Sequence, residues 1–174
     1  MTNIRIHLFL LGGTLLLFLL LRIQGNGLID NNNAPGGIVS LELASSPTTA
    51  TAVTSHWANA HLTGKAYRNI GLDFLFIPFY MLLFYSLCGS ISVRMKGFGA
   101  KLGVLLAFGA LVAAHFDVME NILMLFTLGG HFSAASTAAT AVLASTKFAL
   151  LLLCLLYVVP LGLRLILLKL ASSK

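Results

Sequence analysis

The segment "HFDVMENILML" (residues 115–125) places four polar side chains, His115, Asp117, Glu120 and Asn121, inside a long apolar run. A charged side chain at the centre of a membrane helix costs about 2.5–3.5 kcal/mol on insertion scales. Both acids are therefore expected to face the interior of a helix bundle and to be paired there. Asp117 and Glu120 are three residues apart, and Asn121 follows Asp117 by four, so these three side chains share one helix face.

The composition indicates a membrane protein. Of the 174 residues, 58% are hydrophobic and only 9% are charged, whereas about 25% of residues in a soluble domain are charged. The net charge of +6 does not point to nucleic acid, because basic residues collect at the cytoplasmic ends of membrane helices. Cys88 and Cys154 both fall in apolar runs and are expected to be buried, reduced thiols.

The apolar runs predict an all-α fold, a single domain over residues 1–174 with four transmembrane helices. The predicted spans are residues 4–23, 70–93, 102–128 and 138–159. The first span could be read as a signal peptide, but Arg22 follows its apolar core and no A-x-A cleavage site is present, so we expect a retained anchor. Pro160 predicts a kink or a stop, with the segment 160–174 lying along the membrane interface or projecting from it.

The distribution of lysine and arginine predicts the orientation. The side with more basic residues carries seven, which are Arg5, Arg94, Lys96, Lys101, Arg164, Lys169 and Lys174. The other side carries Arg22, Lys65 and Arg68. We therefore expect a multi-pass protein of the cell (inner) membrane with both termini in the cytoplasm and the loop 24–69 outside.

This outer loop is expected to contain a surface helix over about residues 47–61. Ser46 is placed to cap it and Pro47 to occupy its first position. Val53 and Trp57, four residues apart, predict a modest apolar stripe, and Trp57 is expected at the level of the lipid headgroups. Glu42 lies earlier in the loop, within the apolar stretch "IVSLELA".

Four ionisable residues on three spans are predicted to meet in the outer half of the membrane. Asp73, Asp117, Glu120 and Lys147 have overlapping depths when measured from the outer helix ends at about 1.5 Å per residue. The natural pairing is the Lys147 ammonium with Asp117 or Glu120. The remaining acids are expected to be protonated, to reach outer water or to bind a cation, because like charges in a low-dielectric site cannot all ionise.

The proposed binding residues are the four members of this cluster together with Glu42, Tyr80 and Asn121. Tyr80 belongs to the group because it lies on the same stripe of the second span as Asp73, and Asn121 because it shares the face of Asp117. His115 points about 200° away from Asp117 around the helix. We therefore expect it to hydrogen-bond to a neighbouring helix rather than to bind a ligand.

Three functions are compatible with this cluster. The first is a binding or carrier site for a small molecule, a lipid headgroup or an amphiphile. The second is a structural or accessory subunit, in an oligomer or a larger membrane complex, whose buried ion pairs only fix helix packing. The third is an intramembrane metal-dependent enzyme using the acids with His56, His61 or His115, although the five-residue separation of His56 and His61 is poor for two ligands on one helix face. No ligand, cofactor or reaction follows from the sequence.

The chain also resembles a group of small, uncharacterised bacterial inner-membrane proteins. The resemblance lies in five short motifs, which are "SLELA" (residues 40–44), Trp57, "GLDFLF…Y" (residues 71–80), "DVMEN" (residues 117–121) and "TK" (residues 146–147). Membership in this group implies a four-helix membrane fold and no assigned activity.

Overall fold

The computed structural model describes residues 4–172 and is helical throughout its long elements. The helices are α1 (Ile4–Gly25), α2 (Ile38–Glu42), α3 (Pro47–Asn59), α4 (Thr63–Ser92), α5 (Phe98–Leu128) and α6 (Ala134–Ser172), with a 3-10 turn at Asn26–Leu28. Within the described residues, β-type backbone pairing is limited to an isolated bridge between Asp30 and Ala34.

Four of these helices, α1, α4, α5 and α6, are long and apolar enough to cross a membrane. This confirms the predicted all-helical fold with four helices that are able to span a membrane. Three of them begin earlier than the apolar runs suggested, because α4 starts at Thr63, α5 at Phe98 and α6 at Ala134. Their first turns contain polar and glycine residues, which hydropathy alone assigns to the connecting segments.

Helices α4, α5 and α6 form the centre of the bundle, and α1 packs on its outside against α4. The contact between α1 and α4 is close at Gly13, where an added Cβ would collide with the ring of Phe79. The rings of Phe9 and Phe79 extend this contact, with centroids 6.0 Å apart. The remaining surface of α1 is apolar and exposed, as expected for a helix that faces lipid.

Helices α2 and α3 cover the end of the bundle where α1 and α5 finish and α4 and α6 begin, which we name the capped end. Helix α3 begins as its sequence predicted, with Pro47 in the first turn and Ser46 and Thr49 forming a reciprocal capping box. Ala50, Val53 and Trp57 are its buried side chains.

The expectation that Trp57 lies among lipid headgroups is wrong. Its side chain is fully buried, and its indole Nε1 donates a hydrogen bond of 3.0 Å to the carbonyl oxygen of Leu28. Trp57 belongs to an apolar cluster that includes Leu28, Leu41 and Ile70. The indole therefore packs α3 against α2 and the chain after α1, because a buried aromatic side chain contributes a large apolar contact area.

Helix α6 does not stop at Pro160 but continues to Ser172. Helix α4 likewise continues through Pro78. Proline is tolerated inside membrane helices because neighbouring helices and local adjustments satisfy the backbone group that it leaves free. The C-terminal segment is therefore an extension of α6. Lys174, which entered the orientation argument, lies outside the described residues, as does the side chain of Lys169.

Both cysteines are buried, free thiols, as predicted. Cys154 donates a weak hydrogen bond from Sγ to the carbonyl oxygen of Leu106, at 3.4 Å. The thiols contribute to an apolar cluster between α4, α5 and α6, in the half of the bundle away from the capped end.

Candidate functional site

Helix α5 presents its acidic face to the centre of the bundle. Asp117, Glu120 and Asn121 are all buried, as their spacing of three and four residues predicted. Lys147 on α6 faces them and is only 4% exposed. The helical period of each sequence segment thus brings an ammonium and two carboxylates together where two central helices pack.

The Lys147 ammonium contacts three carboxylates. Its Nζ donates a hydrogen bond of 2.6 Å to Asp117 Oδ1 and lies 3.1 and 3.0 Å from the two oxygens of Glu120. Glu42 Oε2 lies 3.5 Å away on a third side. The predicted pairing of Lys147 with Asp117 or Glu120 therefore occurs with both acids at once.

Hydrogen bonds extend this cluster to α4. The Tyr80 hydroxyl donates to Asp117 Oδ2 at 2.7 Å, so each oxygen of the Asp117 carboxylate has its own donor. Asn121 Nδ2 donates to Asp73 Oδ2, also at 2.7 Å. Asp73 makes no salt bridge with any cation of the described residues, and its polar contact is the amide of Asn121.

Glu42 reaches the cluster from outside the membrane-spanning helices. Helix α2 folds back over the capped end, so that Glu42 is only 7% exposed. Burial raises the pKa of the Glu42 carboxyl, and the Lys147 ammonium opposes this rise without cancelling it. The Oε2 atom of Glu42 has no hydrogen-bond donor among the described residues. Three carboxylates around one ammonium cannot all be ionised in a low-dielectric site, and the raised pKa makes Glu42 a candidate to carry a proton.

A cavity of about 210 Å³ opens beside this cluster, which is room for about seven water molecules at ~30 Å³ each. It is lined by residues of α1, α2, α4, α5 and α6, together with the chain that follows α1. Six of the seven predicted site residues line it, which are Glu42, Asp73, Tyr80, Asp117, Asn121 and Lys147. The seventh, Glu120, lies beneath this lining and is fully buried.

The apolar part of the cavity wall comes from all the elements that line it, and chiefly from α1, α2, α4 and α6. Its members include Phe18, Leu21, Ile38, Val39, Phe76, Phe148 and Leu151. One surface is therefore charged and hydrogen-bonding while the others are aromatic or aliphatic. Binding sites for small molecules commonly combine a mostly apolar wall with a few placed polar groups.

Sequence reasoning missed three polar residues that line the cavity, Arg22, Asn26 and Asn69. Asn69 lies one helical turn before Asp73, and its Nδ2 donates to the carbonyl oxygen of Leu21 at 3.2 Å. Gln24 Nε2 in turn donates to the carbonyl oxygen of Lys65 at 2.8 Å. The four-residue spacing of Asn69 and Asp73 could have revealed Asn69, whereas Arg22 joins the site only because α1 packs on α4.

The histidines do not join the cluster. His115 is exposed on the outer surface of α5, and the expected hydrogen bond to a neighbouring helix is not found among the described residues. Neither His56 nor His61 lines the cavity. Among residues 4–172, no three histidine, cysteine, aspartate or glutamate side chains are grouped so that they could hold a metal ion. The Lys147 ammonium occupies the position between the carboxylates that a cation would take.

Comparisons with known proteins leave this cavity as the guide to function, because no protein-family model, curated protein or solved structure matches the chain. The resemblance to small bacterial inner-membrane proteins accordingly stays an expectation.

Proposed function

We propose that this protein binds a small molecule or a lipid headgroup in the cavity beside Lys147, as a binding or carrier protein of the cell membrane. The single observation that carries this proposal is the cavity itself. It lies between the buried ionic cluster and an apolar wall, and its volume of about 210 Å³ is about the size of a small amphiphile's head. The ionisable groups within membrane helices are expensive to bury, and they often mark ligand or ion sites.

The alternative is a structural or accessory subunit in which the ions only fix helix packing. Such a role needs one acid for each buried lysine, and Asp117 already satisfies Lys147 at 2.6 Å. Glu42 and Asp73 exceed that requirement, and both line the cavity. Their presence favours a site that interacts with something beyond the protein itself.

We place the capped end outside the cell, so that the cavity lies in the outer half of the bilayer. The argument is the basic residue distribution, with seven lysines and arginines on the opposite side and three on this one. A ligand would then reach the cavity from the outer leaflet or from outer water.

Native mass spectrometry of protein purified in a mild detergent tests the proposal. We expect a co-purified amphiphile on the parent protein. We expect it to be lost from Leu21→Trp, which fills the cavity from α1. Leu20→Trp is the matched control, because Leu20 is the adjacent leucine, exposed on the outside of α1 and absent from the cavity wall. An adduct absent from the parent, or equally present on both variants, would contradict a ligand in this cavity.

A further inference from the structure

We propose that the ligand is an amphiphile with a primary ammonium headgroup, which pairs with Asp73 against an aromatic wall of the cavity. This inference rests on the proposed function and specifies its ligand. Three observations support it, which are the Asp73 carboxylate without a cation partner, the open acceptor positions of that carboxylate and the arrangement of the aromatic rings.

The cavity wall contains one carboxylate, that of Asp73, which no cation of the described residues pairs with. Glu42, Asp73 and Asp117 line it, and the facing cations are Lys147 and Arg22. Lys147 is held by the three acids of the ionic cluster. Asp73 makes no salt bridge with a described cation, so it is the carboxylate available to a positively charged ligand.

The Asp73 carboxylate has room for further donors. Asp73 is only partly buried and receives one hydrogen bond at Oδ2, from Asn121. A primary ammonium carries three N–H donors and can donate to the remaining acceptor positions of this carboxylate. A quaternary ammonium has no donor and cannot.

The aromatic rings follow Asp73 along α4 and continue onto α1. Phe76 lies one helical turn after Asp73, and its ring centroid is 5.1 Å from that of Tyr80 and 6.4 Å from that of Phe18. An ammonium beside a carboxylate gains further attraction from an aromatic face within about 6 Å. A cation–π contact of this kind already occurs within the protein, where the Lys147 ammonium lies 4.9 Å from the centroid of the Phe148 ring.

The apolar part of the ligand has a place in the same cavity. Leu21 on α1 and Leu151 on α6 both line it, and α1 packs chiefly against α4 rather than against α6. The proposal places the hydrocarbon chain against these apolar side chains, between α1 and α6. Free alkylamines and lipids with an ethanolamine headgroup share this chemistry.

Calorimetric titration of the protein in phosphocholine nanodiscs, with empty nanodiscs subtracted, tests the ligand class. The probes are decylammonium, decyltrimethylammonium, decanol and decyl sulfate. We expect decylammonium to bind most tightly. We expect Asp73→Asn to weaken it about tenfold, as for the loss of one charge-assisted hydrogen bond, with decanol binding unchanged. Asp30→Asn is the matched control, because Asp30 is a loop carboxylate outside the cavity wall.

The outcomes separate this inference from the proposed function. If decanol or decyl sulfate binds as tightly as decylammonium and Leu21→Trp still abolishes binding, the cavity binds amphiphiles but the ammonium class is wrong. If no probe binds above the empty nanodisc background, both proposals fail. Phe76→Leu keeps the test decisive should Asp73→Asn not fold, because loss of the ring should reduce the preference for decylammonium over decanol.

A second arm distinguishes the two sources of the ammonium. Nanodiscs doped with an ethanolamine phospholipid are compared with nanodiscs to which decylammonium is added, and bound species are read by native mass spectrometry. Retention of the doped lipid by the parent and its loss from Asp73→Asn would assign a lipid headgroup. Retention of decylammonium alone would assign a free amine, and an adduct unaffected by Asp73→Asn in both arms would overturn the role of Asp73.

Discussion

Lys147 and Asp117 form an ion pair of 2.6 Å between two central membrane helices, with both side chains almost completely buried. Both groups are largely removed from bulk water, so each depends on the other for its charge to be tolerated. Removing one partner from a buried pair strands the other charge, which is usually more damaging than removing both.

We predict that Lys147→Met destabilises the protein more than Lys147→Met combined with Asp117→Asn. The single change leaves the buried acids without their cation, a loss of about 3–5 kcal/mol in soluble proteins. The double change removes one of the stranded charges and should recover part of that loss. Unfolding of the two variants in detergent measures the difference, and strictly additive losses would argue against the ion pair.

We predict that Tyr80→Phe lowers the free energy of unfolding by about 1.5–3 kcal/mol, because it removes a hydrogen bond to a charged carboxylate. Tyr157→Phe is the matched control. The Tyr157 hydroxyl donates to a neutral acceptor, the carbonyl oxygen of Gly99, at 2.9 Å, so a smaller loss of about 0.5–1.5 kcal/mol is expected. Equal losses in detergent unfolding would indicate that the Asp117 carboxylate carries no charge.

The protonation of Glu42 predicts a pH dependence of stability. Burial raises the pKa of Glu42 above its ordinary value of 4.5, so the folded protein keeps a proton that the unfolded chain releases. Above pH 4.5 the free energy of unfolding should therefore fall as pH rises, until the raised pKa of the folded state is passed. Glu42→Gln, which stays neutral, should show a melting temperature that increasingly exceeds that of the parent over this window.

Asp30 provides a control, because its pKa is shifted in the opposite direction to that of Glu42. The backbone N–H groups of Asn33 and Asn32 donate to its carboxylate and, with the Asn33 side chain, lower its pKa. Asp30 therefore stabilises the folded protein above pH 3.8, the ordinary pKa of its carboxyl in the unfolded chain. This stabilisation is lost as the pH falls through the lowered pKa of the folded state. Asp30→Asn should therefore weaken the protein slightly at neutral pH and not in acid.

A melting temperature of Glu42→Gln that tracks the parent at every pH would contradict a protonated Glu42.

The spans and the ionic cluster could be predicted from the sequence because helical periodicity determines which residues share a face. Asp117, Glu120 and Lys147 were placed together on that basis, and the distances agree. The path of the loop could not be predicted in this way. Whether Trp57 faces lipid or protein depends on where the chain after α1 returns, and that path depends on contacts between distant segments.

The same limit applies to the cavity. Arg22 and Asn69 line it because α1 packs beside α4, and a pattern within one helix does not specify its neighbour. Pro160 was interpreted as a kink or a stop because proline removes a backbone donor. The helix continues there, since a membrane interior offers no water to compete for the backbone and favours helical continuity.

We predict that the capped end faces outward, so that a cysteine at Asn32 reacts with a membrane-impermeant maleimide added to intact cells. Asn32 is exposed in the loop between α1 and α2. The native thiols of Cys88 and Cys154 are buried and should give little background. Lys96→Cys, in the exposed turn between α4 and α5, should react only after the membrane is permeabilised. The reverse pattern would invert the topology and place the cavity in the inner half of the bilayer.

The burial of Trp57 gives the protein an intrinsic optical probe. It is the single tryptophan of the chain, and its hydrogen bond to Leu28 ties it to the segment whose neighbours Asn26 and Ile29 line the cavity. Its emission should be blue-shifted in the folded protein and should shift to the red if the indole becomes hydrated. The packing of this end can thus be followed by fluorescence, without attaching a dye.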